Sequence, residues 1–131
     1  MDEPPVAKSD WLRARLRSFG HAFHGLAICF RTQANARIHA VATIAAITLG
    51  VAVKITALEW CAIFIAIALV WMAECFNTAL EGLVDLVSPE RHPIAGRIKD
   101  LAAGAVLAAA IGAAGVGAII FGPKLWALLP R

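Results

Sequence analysis

The chain has 131 residues, of which 60% are hydrophobic and only 16% charged, and its mean hydropathy is +0.75. That is too apolar for a domain wetted on every side, since soluble domains run near 45–50% apolar. A formal charge of +3 is too small and too dispersed for a nucleic-acid reader, and the lack of tyrosine and of alternating apolar–polar runs argues against a membrane β-barrel. The expectation is one all-α membrane domain over 1–131, with an N-terminal amphipathic surface helix and three transmembrane helices.

Residues 1–9 carry Pro4-Pro5 and no apolar pattern, and read as a frayed tail without a cleavable leader. From about 10 to 31 the sequence is amphipathic. Trp11, Leu12, Leu16, Phe19, Phe23, Leu26 and Phe30 supply an apolar side, and Arg13, Arg17, His21 and His24 a basic one. A helix of this kind lies in the plane of the membrane interface. Arg31 to His39 is a polar interlude, followed by a first span at about 40–58, with Lys54 near its far end. Thr56 to Glu59 makes a short turn, and a second span covers about 60–80. Ser88-Pro89-Glu90-Arg91-His92-Pro93 breaks that helix, because proline disfavours helix at the residue before it. Pro93 sits close to the first position of the next helix, whose uncharged stretch at about 101–121 spans the bilayer and is ended by Gly122-Pro123.

Three spans with the N-terminus inside put nine basic residues in the cytoplasm (Lys8, Arg13, Arg15, Arg17, Arg31, Arg37, Arg91, Arg97, Lys99) and three outside (Lys54, Lys124, Arg131), as the positive-inside rule prefers. Cys29, Cys61 and Cys75 are odd in number and lack ligand spacing, so they read as reduced structural thiols. Gly104, Ala108 and Gly112 repeat at small-xxx-small spacing, which lets membrane helices approach closely and favours a homo-oligomer.

The second span does not end cleanly. Its apolar run stops at Ala73; Glu74, Asn77, Thr78, Glu81, Asp85 and Ser88 come next, and at about 100° per residue they share one helix face, with Leu80, Leu83, Val84 and Val87 off it. Carboxylates at the edge of hydrocarbon are costly and are more often functional than incidental. Lys99 and Asp100 open the third membrane helix on the same side. Carboxylates hold Mg²⁺ together with phosphate oxygens, lysine and arginine neutralise phosphates, and a further acid accepts a hydroxyl proton. Together they suit phosphoryl transfer to a molecule in the membrane. No GxxxxGK[ST] loop is present, so a nucleotide site here is not a P-loop.

These residues resemble a known family. Glu74-x-x-Asn77-Thr78-Ala79-x-Glu81-x-x-Val84-Asp85, then His92-Pro93, then Lys99-Asp100-x-Ala102-Ala103-Gly104-Ala105-Val106 is similar to the pattern of the small prokaryotic diacylglycerol kinases, a family that includes undecaprenol kinases. The likeness runs from about Phe19 to Lys124, and Arg31-Thr32 and His92-Pro93 look more like the undecaprenol-kinase branch. It implies a homotrimer in the bacterial cytoplasmic (inner) membrane, with its N-terminus and active sites on the cytoplasmic side. It implies ATP with Mg²⁺ as phosphoryl donor and a lipid alcohol, undecaprenol or diacylglycerol, as acceptor. By motif position it makes Glu74 the general base, Glu81 a metal ligand that also faces ATP, and Asn77 part of the reaction centre. His21, Glu90, His92, Lys99 and Asp100 fall where the family contacts ATP. The family's other metal-binding glutamate corresponds to Gln33, an uncharged oxygen donor, which implies weaker Mg²⁺ dependence. Two other function classes use similar ingredients: a small multidrug-type transporter, which wants its acid near the bilayer midplane, and a non-catalytic membrane assembly protein.

Overall fold

A computed structural model describes residues 8–128 of the chain; residues 1–7 of the expected tail and residues 129–131, Arg131 among them, lie outside the described residues, while Lys8 and Ser9 already belong to the first helix. Four α-helices follow one another: α1 (Lys8–Thr32), α2 (Ala34–Ala52), α3 (Ala57–Val87) and α4 (Pro93–Trp126). No strand occurs among the described residues. The last three helices are each long and apolar enough to cross a membrane. From Trp11 onward α1 is exposed except at Cys29, which meets Thr78 of α3 near the C-terminal end of α1. Its exposed Leu12, Leu16, Phe19 and Phe23 suit a helix lying on an apolar surface.

α3 and α4 form the main antiparallel pair; α2 packs on α3 and only lightly on α4. The core of this pair is a cluster of Ile55, Ile63, Ile120 and Phe121 at the end of the bundle that carries the α2–α3 turn. Gly50 makes that turn possible: a Cβ there would stand 2.8 Å from Trp60 Cη2 and 3.0 Å from Ile55 Cδ1. Lys54 then takes a left-handed φ of 52°. Thr56 starts α3 with a capping box, its Oγ1 accepting from Glu59 N–H at 3.3 Å while Glu59 Oε2 accepts from Thr56 N–H at 2.6 Å. Lys124 reaches Glu59 Oε1 at 3.2 Å and ties α4 to the same turn.

Two boundaries differ from the sequence expectation. The first span is not 40–58 but the helix Ala34–Ala52. The polar interlude is helical from Ala34 onward, and the break shrinks to Gln33 (φ −101°, ψ 123°). Hydropathy misplaced this span because Asn35, Arg37 and His39 are polar, whereas the helix boundary follows from the Gly50–Trp60 packing that closes its far end. Nor does Gly122-Pro123 end α4, which continues to Trp126. A proline that near the C-terminus forfeits one N–H donor but leaves its own carbonyl free to accept from Ala127 N–H at 3.1 Å. The small-residue stripe is left unused within the chain: Gly104, Ala108 and Gly112 are exposed, and nothing lies within 4 Å of a Cβ built on either glycine.

Candidate active site

The buried stripe of α3 contains Ile63, Val70, Glu74, Asn77 and Val84, with Ile67 and Glu81 half-buried in the same line. The spacing alternates between four and three residues, the pattern of a helix seam packed against a partner. The seam is apolar as far as Val70. Glu74, Asn77 and Glu81 then occupy positions where apolar side chains would ordinarily sit, and Val84 closes it. Glu74 is 0% exposed and Asn77 6%. Two details of the expected acidic face change. Val84 belongs to the seam, and Asp85 is exposed. A seam with seven-residue periodicity drifts from a straight 100° helical wheel by about 20° per heptad, enough to exchange neighbours 84 and 85.

Glu81 is held from two sides. Gln33 Nε2 donates to its Oε2 at 3.0 Å and Asn77 Nδ2 to its Oε1 at 3.1 Å. Gln33 is the α2 N-cap residue, yet its side chain makes no cap bond; it turns to α3 instead. Cys29, 2% exposed, lies beside it in the α1–α3 contact, 3.5 Å from Thr78 Oγ1, which also donates to the Glu74 carbonyl at 2.8 Å. The pairing of Gln33 with Glu81 across 48 positions of sequence is therefore present. Neither Glu74 carboxyl oxygen nor Asn77 Oδ1 has a protein hydrogen-bond partner. Such groups are rare in folded interiors, where nearly all buried polar atoms are paired.

Beyond Val84 the chain opens into a cleft of about 480 Å³ at the α3–α4 connection. Glu90, His92 and Lys99 line it, with Asp85 and Arg91. Lys99 Nζ contacts Asp85 Oδ1 at 2.5 Å, a pairing the sequence did not suggest. His92 is also the N-cap of α4, its Nδ1 accepting from Ile94 N–H at 3.2 Å. The structure thus brings Glu74, Asn77, Glu81 and Gln33 together in one group, and Glu90, His92 and Lys99 in the next. Asp100 on α4 and His21 on α1 are exposed, and neither lines the cleft. Sequence reasoning reads His39 as an interfacial residue closing the polar interlude, whereas its Nε2 is buried without a protein partner, and it does not reach the Trp71 Nε1–Thr43 Oγ1 bond of 3.2 Å that joins α3 to α2. Nothing local marks either one, because each depends on the α2–α3 register.

A buried acid–amide group on α3, followed along the same helix by a cleft lined with acidic and basic side chains, in a bundle with three helices able to span a membrane, fits a small membrane protein of group-transfer chemistry. Comparison with known proteins makes this more specific. The model of the prokaryotic diacylglycerol kinase family matches residues 20–121, so the chain belongs to that family and is a lipid kinase. An undecaprenol kinase of Bacillus subtilis is 40% identical over 109 residues, covering 83% of this chain and 89% of its own. A diacylglycerol kinase of Synechocystis is 40% identical over 128 residues (95% and 73%), and the diacylglycerol kinase of Escherichia coli K12 is 29% identical over 96 residues (73% and 79%).

Proposed function

We propose that the chain transfers the γ-phosphoryl group of ATP to the hydroxyl of a membrane lipid alcohol, undecaprenol or diacylglycerol, and that Glu74 is its general base. The observation that carries this reading is the Glu74 carboxyl, wholly buried and without a partner on either oxygen. A group left in that state has its hydrogen-bonding capacity free for a substrate. In the proposed reaction the acceptor hydroxyl oxygen forms the new bond to the γ-phosphorus as its proton passes to Glu74. The bond from that phosphorus to the β–γ bridging oxygen breaks, ADP departs, and Glu74 returns the proton to water.

Glu90, His92 and Lys99 face the cleft where the nucleotide is proposed to lie, and Lys99 offsets phosphate charge there. Asp100 and His21 are proposed as further nucleotide contacts on the family resemblance alone. The donor set also suits Mg²⁺. Glu81 offers a carboxylate, Asn77 Oδ1 is an orphaned amide oxygen, and Gln33 can present its carbonyl by turning its amide. Mg²⁺ asks for one or two protein carboxylates and completes its shell with phosphates and water. When bound, it would neutralise charge on the phosphates.

The charge asymmetry of the loops supports a cytoplasmic N-terminus and active site in the inner membrane of a bacterium. The uncovered Gly104–Ala108–Gly112 stripe supports close packing against further copies, in the proposed assembly a homotrimer. The test is purified protein in mixed micelles with radiolabelled ATP and each lipid alcohol. Labelled lipid phosphate that disappears in Glu74→Gln is expected; label in neither lipid, or undiminished label in the variant, refutes the proposal.

A further inference from the structure

Taken one at a time, the three cysteines are unremarkable thiols, but the fold pairs two of them. Cys29 is buried near the end of α1, and its Sγ stands 3.5 Å from Thr78 Oγ1 on α3. Cys75 is half-buried. It lies four residues after Trp71 and three before Thr78, and residues at those separations are neighbours on one helix face. Trp71 bonds Thr43 of α2, and Thr78 contacts Cys29 of α1. The face of α3 that carries Cys75 is therefore the one that α1 and α2 cover, and there the Cys75 thiol meets that of Cys29. Cys61 is exposed and lies about 21 Å back along α3 at 1.5 Å per residue.

The two thiols join the α1–α2 break to the reaction centre. The Cys29 carbonyl accepts from Gln33 N–H at 3.0 Å. Gln33 is the break between α1 and α2, and its Nε2 donates to Glu81 at 3.0 Å. On the other side, Cys75 directly follows Glu74, whose carbonyl accepts from Thr78 Oγ1 at 2.8 Å.

We propose that Cys29 and Cys75 form a reversible thiol–disulfide site, oxidised by a low-molecular-weight disulfide, and that closing it slows phosphoryl transfer. The Cys75 thiol, the more open of the two, gives up its proton and attacks one sulfur of the small disulfide. The small disulfide's S–S bond breaks, and its other half leaves as a thiolate and takes up a proton. The Cys29 sulfur then attacks the Cys75 sulfur of the mixed disulfide, and the second half leaves in the same way. In sum, the protein loses two hydrogens and gains one S–S bond, and the small disulfide is reduced to two thiols. Excess small thiol runs the exchange backwards. Disulfides of cytosolic proteins are mostly transient or redox-sensing, which suits a site on the cytoplasmic side. The bond brings the sulfurs to about 2.05 Å, closer than two thiols in contact, so Cys29 is drawn towards Cys75 and the end of α1 is fixed on α3. Gln33, one turn further on, then loses freedom to adjust to Glu81. This effect on turnover rests on the lipid-kinase reading above; the disulfide itself does not.

The experiment treats purified protein in mixed micelles with 2-hydroxyethyl disulfide and maps its peptides without reduction by mass spectrometry, alongside lipid phosphorylation. Wild type and Cys61→Ser should both yield an α1 peptide joined to an α3 peptide through Cys29 and Cys75. Turnover should fall about tenfold or more, the scale of a small misplacement at a reaction centre, and return with dithiothreitol. Cys29→Ser and Cys75→Ser should keep their turnover in the oxidant. A trivalent arsenical, which bridges two adjacent thiols, tests the pairing in wild type without any variant: it should protect Cys29 and Cys75 together from alkylation and leave Cys61 reactive. Mixed disulfides on single cysteines only, or separate alkylation of Cys29 and Cys75 in the presence of the arsenical, overturns the pairing. A complete Cys29–Cys75 bond with unchanged turnover overturns the control of catalysis. Reduced protein that phosphorylates no lipid would instead remove the kinase reading, with the peptide map still deciding the disulfide.

Discussion

Replacing Glu74 by leucine is predicted to make the folded protein more stable and catalytically dead. Glu74 sits in the packed seam of α3 with 0% exposure, between Val70 and Asn77, and neither carboxyl oxygen has a partner. Leaving a buried polar group unsatisfied costs about 1–3 kcal/mol in proteins. Leucine is close in size, belongs to the apolar pattern that precedes it, and removes that penalty without opening a cavity. The expected gain is therefore about 1–3 kcal/mol, with Glu74→Gln nearer to wild type because an amide in the same place is equally short of partners. The assay is reversible unfolding in mixed micelles, titrated with a denaturing detergent and followed by tryptophan fluorescence, alongside lipid phosphorylation. Such gains at the expense of activity are the usual signature of a site held in an unfavourable environment for its chemistry. If Glu74→Leu proved less stable than wild type by about 1 kcal/mol or more, the carboxyl would have a partner in the folded protein. The case for a free carboxyl awaiting substrate would then fall.

Three further outcomes follow from the same contacts. Gln33→Glu sets a second carboxylate where an amide now donates to Glu81 at 3.0 Å; it should lower stability in EDTA by about 1 kcal/mol or more, recover in Mg²⁺, and lower the half-saturating Mg²⁺ in the kinase assay. An unchanged Mg²⁺ midpoint together with unchanged melting in EDTA would show that Gln33 does not face the proposed metal position. Lys99→Met breaks an ion pair between exposed side chains, so unfolding should move by less than about 1 kcal/mol while KM for ATP rises; a large loss of stability with normal ATP use would reverse the assignment. Gly50→Ala forces a methyl to within 2.8 Å of the Trp60 ring, and should cost about 1–3 kcal/mol in the same unfolding assay. A neutral result would mean that the α2–α3 turn does not depend on that approach.

Much of this molecule is readable one segment at a time. Three membrane helices are legible because transfer into hydrocarbon is summed over consecutive residues. The grouping of Glu74, Asn77 and Glu81 is legible because helical periodicity is a property of one segment. The break at Ser88 to Pro93 is legible from proline geometry, and it lies where α3 ends and α4 begins. The likeness to lipid kinases came from those same positions and was matched by the family comparison.

What stayed hidden depends on which helix faces which. The far end of α2 moved because Trp60 packs over Gly50, and no scan of hydropathy contains that contact. Asp85 and Val84 exchanged places because the seam follows its partner helix and departs from an ideal wheel. Lys99 found Asp85, and His92 became a helix cap, through the fold of one connection. His39 reads in the sequence only as a polar residue at the membrane interface. Only the α2–α3 register sets its unpartnered nitrogen at the depth of the unpartnered Glu74 oxygens. Local chemistry thus determined what the α3 stripe contains, and tertiary packing decided which of its groups are left without partners. Burial and pairing are properties of neighbours brought from elsewhere in the chain, so the sequence alone could not decide them.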